Sequence, residues 1–329
     1  MPISNLYILL AAAVLAFLVT FFTAPPVIAL LRRNKLGQQI RDDGPQRHLT
    51  KAGTPTMGGV TILAGVIAGT VGSWFFFPQH YRSGVLLLAL TVAVAAIGSV
   101  DDWGKIRRGR SLGLRAREKL ILQFIAAGLF VAGLVFGLDN GATIGVPFAG
   151  KVSLGWAYIP LAILFIAAMS NAVNLTDGLD GLAAGTTAAA ALALAGVAWL
   201  AGNPAIAAFL ACLAAACLAF LRYNRHPAKV FMGDTGSLAI GAALAGAALA
   251  LKAEILLLWI GLIFIIEMAS VILQVLYFKA TKGKRLFRMS PFHHHLELGG
   301  WPETTIVTRA WLLALVLGAG GYAVYLLAR

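Results

Sequence analysis

Ten apolar stretches, each about as long as the 17 to 25 residues a helix needs to cross a ~30 Å hydrocarbon layer, leave this chain few ways to fold. They lie near residues 6–31, 57–77, 84–100, 120–137, 156–173, 183–201, 205–221, 235–251, 254–278 and 306–327. A backbone in lipid has to satisfy its own hydrogen bonds, which such stretches achieve as helices. The expected fold is all-α: a polytopic integral membrane protein with about ten transmembrane helices. With 60% hydrophobic and 12% charged residues, the chain is too apolar to hide a water-soluble domain. It shows no linker, low-complexity tail or fixed-period repeat, so residues 1–329 are expected to form a single transmembrane domain.

The first stretch has no basic residue before it and Arg32, Arg33 and Lys35 after it, the reverse of a cleavable signal peptide. It is expected to stay as a helix with its N-terminus outside. Back-and-forth threading from there puts every one of the 26 Lys and Arg residues on one side except Arg82, Lys151, Lys252 and Arg329. The positive-inside rule makes that side the cytoplasm and leaves both termini on the outer, periplasmic side. A net charge of +13 raises the question of nucleic acid. The basic residues sit in short juxtamembrane loops without a nucleic-acid-binding fold, so no nucleic acid partner is expected. Topology and the anionic headgroups of membrane lipids account for them. Cys212 and Cys217, five apart, do not stack on one helical face and point to neither redox chemistry nor a metal.

Five polar clusters each follow an odd-numbered apolar stretch, so the same threading gathers them on one face. They are Arg41 to Gly59, Asp101-Asp102 with Lys105, Asn171 to Gly181, Asn224 to Ser237, and Ser290 to Glu297. An aspartate at mid-bilayer costs about 3 kcal/mol, so burying Asp101, Asp102, Asp177, Asp180 and Asp234 there would cost on the order of 15 kcal/mol. They belong at helix ends or in a wet cleft. Converging carboxylates need a cation, and hard oxygen ligands select Mg²⁺ or Mn²⁺ over zinc. A magnesium-dependent phosphate site follows as the expectation.

Each cluster also has a plainer reading. Asp101 and Asp102 point about 100° apart on a helix, so one can face a cleft and the other a basic group; both also suit a solvated helix end capped by Lys105. Lys119 fits a phosphate anchor or a surface snorkel. Asp177 and Asp180 can share a helical face, although Asn and Asp-Gly pairs also make ordinary turns. Asp234 precedes an apolar stretch, where it could cap free N–H groups or stand beside a metal and phosphate. Asn224 and Phe231 offer an amide and an aromatic face to a nucleobase. His293, His294 and His295 cannot all aim at one point and lack zinc spacing, which favours a diphosphate clamp or proton shuttle; a solvated loop is the plainer reading. Glu267, in the middle of the ninth stretch, is either functional or a helix-pairing residue.

Taken together, the runs Arg41 to Gly59, Asp101-Asp102, Asn171 to Ala183, Lys229 to Ser237 and Pro291 to Glu297 closely resemble the phospho-N-acetylmuramoyl-pentapeptide transferase family, over essentially the whole chain. Aspartate runs like the middle three occur across the polyprenyl-phosphate aminosugar-1-phosphate transferase superfamily, whereas the first and last are particular to the muramoyl branch. The resemblance implies Mg²⁺-dependent transfer of phospho-MurNAc-pentapeptide from UDP-MurNAc-pentapeptide to undecaprenyl phosphate, giving lipid I and UMP. It places that step at the cytoplasmic face of the bacterial plasma membrane and implies a homodimer. Carried over, Asp234 matches the magnesium-binding aspartate, and Asp101 and Asp102 match the catalytic pair, with Asp101 as the base. Lys51, Lys119 and His293 match positions of phosphate handling or activity. Asn174, Asp177, Asp180, Asn224, Phe231 and Gln274 match or neighbour the nucleotide pocket, and His294 and His295 join them in substrate binding. The lipid tail is expected along an apolar groove beside the ninth stretch. Trp103-Gly104 departs from the family pattern and puts the packing beside the aspartate pair in question. The rival readings are a UDP-GlcNAc-using sister transferase and a secondary transporter; a transporter would place its site at mid-membrane, often between inverted repeats.

Overall fold

Helix ends in this chain fall where local chemistry breaks the apolar runs. The computed structural model describes residues 3–34, 53–77, 81–108 and 113–329. The helices are α1 (Ile3–Arg33), α2 (Gly59–Trp74), α3 (Tyr81–Arg108), α4 (Ala116–Ala132), α5 (Tyr158–Thr176), α6 (Leu182–Leu200), α7 (Pro204–Asn224), α8 (Gly233–Leu251), α9 (Glu254–Ile260), α10 (Leu262–Ala280), α11 (Phe292–Glu297) and α12 (Glu303–Leu327). Between α6 and α7, Asn203 caps the second helix by accepting from the Ile206 N–H at 3.1 Å, with Pro204 in the first turn.

Among the described residues, nine helices are long and apolar enough to cross a membrane, and α2, with 16 residues, is shorter. The ninth apolar stretch is not one continuous helix. Gly261 (φ −93°, ψ 20°) interrupts it, closing α9 and opening α10. Glycine is the residue that gives up helical geometry most cheaply. The chain also forms an antiparallel hairpin, β1 (Thr143–Val146) with β2 (Gly150–Ser153), which apolar periodicity does not announce. Glu254 accepts from the Gly145 N–H at 3.3 Å. Lys252 donates to the Gly141 carbonyl at 2.8 Å and lies over the Tyr158 ring at 4.3 Å. Lys252 is thus a buried anchor for the hairpin, at the end of the molecule opposite the aspartates.

The interior is built from α6, α7 and α8, whose residues are mostly buried, with α6 and α8 rich in Ala and Gly and α7 rich in Ala. In lipid the apolar tails are as greasy as the helices, so close backbone approach through small residues supplies the packing energy. Around this centre, α3 and α5 pack on α8, α1 and α2 on α7, and α12 on α6. One apolar core draws on residues from Ala24 to Phe264. The outer surface carries exposed Leu10, Phe22, Leu129, Leu164, Leu276 and Val316, as a lipid-facing surface requires. One contact positions the site directly. A Cβ on Gly98 would collide with the Asp234 backbone, so the end of α3 lies hard against the start of α8.

Candidate active site

Because α3 crosses the start of α8 at Gly98, the Asp101-Asp102 pair arrives one turn later beside the free N–H groups of that helix. Asp102 takes them: it accepts from the Asp234 N–H at 3.1 Å and from the Thr235 N–H and hydroxyl at 2.9 and 2.8 Å. Capping of α8 therefore falls to a carboxylate from another helix, and Asp234 itself is turned elsewhere. Its carboxylate meets Lys119 Nζ, from the first turn of α4, at 2.5 Å and Lys105 Nζ at 3.1 Å. Asn174, near the end of α5, donates to it at 3.0 Å and to Ser237 at 2.8 Å. Asp101 accepts from the Leu114 N–H at 2.8 Å and pairs with Lys105 at 2.7 Å. Trp103 is exposed and a Cβ on Gly104 would meet Gly113 only in ordinary contact, so the departure at this dipeptide leaves the pair's own contacts intact.

Carboxylate oxygens of Asp101, Asp102 and Asp234 all lie within 4.8 Å of one another. Three hard anionic oxygens at that spacing fit a Mg²⁺-type ion better than a softer metal. The Lys105 ammonium among them already shows that the cluster demands positive charge.

Asp177 follows α5, half-buried, with its N–H donated back to the Val173 carbonyl at 3.2 Å. Burial, reinforced by the charges of Asp234, Asp102 and Asp180, raises its carboxyl well above the usual carboxylate range. A carboxyl raised in the folded state favours folding while protonated and opposes it once ionised. In EDTA, Asp177→Asn should therefore melt above the wild type at neutral pH. The gap should close as pH falls below the ordinary carboxylate range, where both states are protonated. A gap independent of pH would refute this account.

The remaining predicted residues divide between those at the cluster and those that shape its surroundings. Asn224 is buried, accepts from the Gly181 N–H at 3.1 Å and donates to the Val230 carbonyl at 3.0 Å, so it ties the loop after α5 to the segment before α8. Phe231 is fixed through its backbone, its N–H donating to the Pro55 carbonyl at 2.8 Å. Asp180 accepts from the Ala228 N–H at 3.0 Å and faces His226 at 3.1 Å. Gln274 binds the loop after α10, accepting from the Leu286 and Phe287 N–H groups at 3.0 and 2.9 Å. The three histidines have three different partners: His293 pairs with Glu267 at 3.1 Å and His294 with Glu297 at 2.8 Å. His295 accepts from the Arg288 N–H at 3.1 Å. Lys51 lies outside the described residues, as do residues 41–50 of the first motif.

Reasoning from sequence undervalued Lys105, treating it only as a helix-end cap. Its position four residues after Asp101 and three after Asp102 was the available signal. It missed His226 and Glu303, which join Asp180 in a second polar group. These come from three separate places in the chain, and nothing in their spacing connects them.

A helical membrane bundle that brings three carboxylates and two lysines together at helix ends is built as a membrane-embedded phosphotransferase would be. The family model described as Glycosyl transferase family 4 matches residues 84–252, and a Phospho-N-acetylmuramoyl-pentapeptide-transferase signature matches residues 51–63. The chain is 48% identical over 326 residues to the phospho-N-acetylmuramoyl-pentapeptide-transferase of Desulforudis audaxviator, covering 95% of this chain and 97% of that protein. It is 50% identical over 312 residues to the enzyme of that name from Moorella thermoacetica, covering 94% and 96%. For the Pelotomaculum thermopropionicum enzyme the identity is 49% over 313 residues, covering 93% and 94%. The chain belongs to the phospho-N-acetylmuramoyl-pentapeptide transferase family.

Proposed function

We propose that the protein transfers phospho-MurNAc-pentapeptide from UDP-MurNAc-pentapeptide to undecaprenyl phosphate, giving lipid I and UMP in peptidoglycan synthesis. The observation that carries this reading is the meeting of Asp101, Asp102 and Asp234 with Lys105 and Lys119 where α3, α4 and α8 converge. In the reaction an oxygen of the lipid phosphate bonds to the sugar-linked phosphorus, and the bond from that phosphorus to UMP breaks. UMP departs with the bridging oxygen. Both reactants are anions, so the barrier is largely electrostatic. Lys119 and Lys105 lower it by screening the approach, and Asp101 accepts any proton the lipid phosphate carries. Asp234, with Asp101 and Asp102 beside it, would hold Mg²⁺, which when bound neutralises the diphosphate and stabilises the leaving group. In this reading the lipid phosphate attacks directly, since Asp102 is held by the Asp234 N–H and the Thr235 N–H and hydroxyl, bonds that a phospho-aspartate step at Asp102 would break.

Asn174, Asp177, Asp180, Asn224 and Phe231 form or support the nucleotide pocket in this reading, with Lys51 and the three histidines handling phosphates and Gln274 fixing the loop that carries the histidines. The distribution of Lys and Arg supports a multi-pass arrangement in the bacterial inner membrane, with the site on the cytoplasmic side and both termini outside. The lipid tail would lie against the exposed apolar face of α10. A single domain acting as a homodimer completes the proposal.

The test is UMP release by purified protein given Mg²⁺ and undecaprenyl phosphate. Release from UDP-MurNAc-pentapeptide but not from UDP-GlcNAc, abolished by EDTA, is the expected result. Release from UDP-GlcNAc alone would reassign the chain to the sister transferases, and release from neither would overturn the transferase reading.

A further inference from the structure

Glu267 lies within α10, a membrane-spanning helix, and is only 5% exposed. A carboxylate in that position is expensive, and here it is spent on a single partner. Its Oε2 accepts from the backbone N–H of His293 at 3.3 Å and faces the His293 Nδ1 at 3.1 Å. Because the same oxygen receives the backbone N–H, it acts as an acceptor, which puts a hydrogen on Nδ1 and fixes the ring's orientation. The other ring nitrogen, Nε2, is buried and has no hydrogen-bond partner among the described residues. It lies against Gly178, where a Cβ would collide with it, on the turn that carries Asp177 and Asp180. An unsatisfied buried polar atom costs about 1–3 kcal/mol. A helix-pairing role for Glu267 gives no reason to leave one.

We propose that Glu267 is a positioning residue for the transfer reaction, acting through His293 by holding the imidazole so that Nε2 is kept for a hydrogen bond with substrate beside the turn that carries Asp177 and Asp180. The inference rests on the reading that His293 belongs to the transferase site. A ring held in one orientation by a buried carboxylate is preorganised for the negative charge that builds on the leaving group. The pair therefore acts in the transition state more than in substrate binding. Glu267 does not touch substrate. Gly178 lacks a side chain because the imidazole needs the space.

The experiment is steady-state kinetics of the full-length protein with UDP-MurNAc-pentapeptide and undecaprenyl phosphate, alongside melting curves. Glu267→Gln keeps the shape and removes the charge. It should lower kcat on the order of 10²-fold with KM within about twofold, as expected for an interaction made in the transition state. Glu267→Asp, which restores the charge on a shorter arm, should recover part of that loss and serves as the test if the Gln variant fails to fold. In a His293→Ala background, Glu267→Gln should cause no further loss. A wild-type kcat in Glu267→Gln, a change confined to KM, or losses that multiply in the double variant would each overturn the proposal while leaving the transferase reading intact. Wild-type turnover in His293→Ala would remove His293 from the site and the inference with it.

Discussion

Asp234→Asn is expected to reduce transfer by ~10³-fold or more, the scale seen when a preorganised charge at a developing anion is removed. The melting curve should shift little. The substitution is isosteric and retains an oxygen to accept from Asn174, so packing survives. The charge does not: Lys105 and Lys119 both converge on Asp234, and without it two ammonium groups face each other across a site left with two carboxylates. The Mg²⁺ requirement should change in the same variant, because one of the three hard ligands becomes a neutral amide. Titrating Mg²⁺ against the melting midpoint of wild type and variant reads this without turnover. A variant that kept both wild-type turnover and wild-type metal response would remove Asp234 from the centre of the site.

Asp102→Ala should fail differently from Asp101→Asn, although the two residues are adjacent. Removing the Asp102 carboxylate leaves the N–H groups of Asp234 and Thr235 and the Thr235 hydroxyl without their acceptor in a buried setting. Unmet buried donors cost about 1–3 kcal/mol each, and charged acceptors are the strongest. A loss of roughly 3 kcal/mol or more, with activity abolished, is the expected result, visible as a melting midpoint lowered by several degrees. Asp101→Asn keeps an oxygen for the Leu114 N–H and gives up only its charge towards Lys105. It should lose transfer with nearly unchanged melting. If the two variants melted alike, the division into one capping and one reactive carboxylate would be wrong.

Much of the architecture was legible because a bilayer allows so few solutions. Apolar length set the helices, and the turn chemistry at Gly202-Asn203-Pro204 separated α6 from α7. The split at Gly261 and the hairpin at 143–153 were harder. A lone glycine in an apolar run is usually tolerated, and the hairpin depends on Lys252 and Glu254, about a hundred residues further along. The aspartate cluster was legible as a set of residue types. Which groups touch was not.

The sequence by itself determined that this chain is a multi-pass membrane protein and that it resembles one transferase family. Apolar length, basic-residue placement and motif identity are all local properties. Only the tertiary structure decided that Asp102 caps α8 while Asp234 turns to Lys105 and Lys119, that Asn224 and Gln274 hold loops, and that Glu267 faces His293. Those assignments depend on how closely α3 approaches α8 at Gly98 and on α11 folding back over Gly178. Close approach of this kind is set by packing between distant segments, which residue spacing along a chain does not encode.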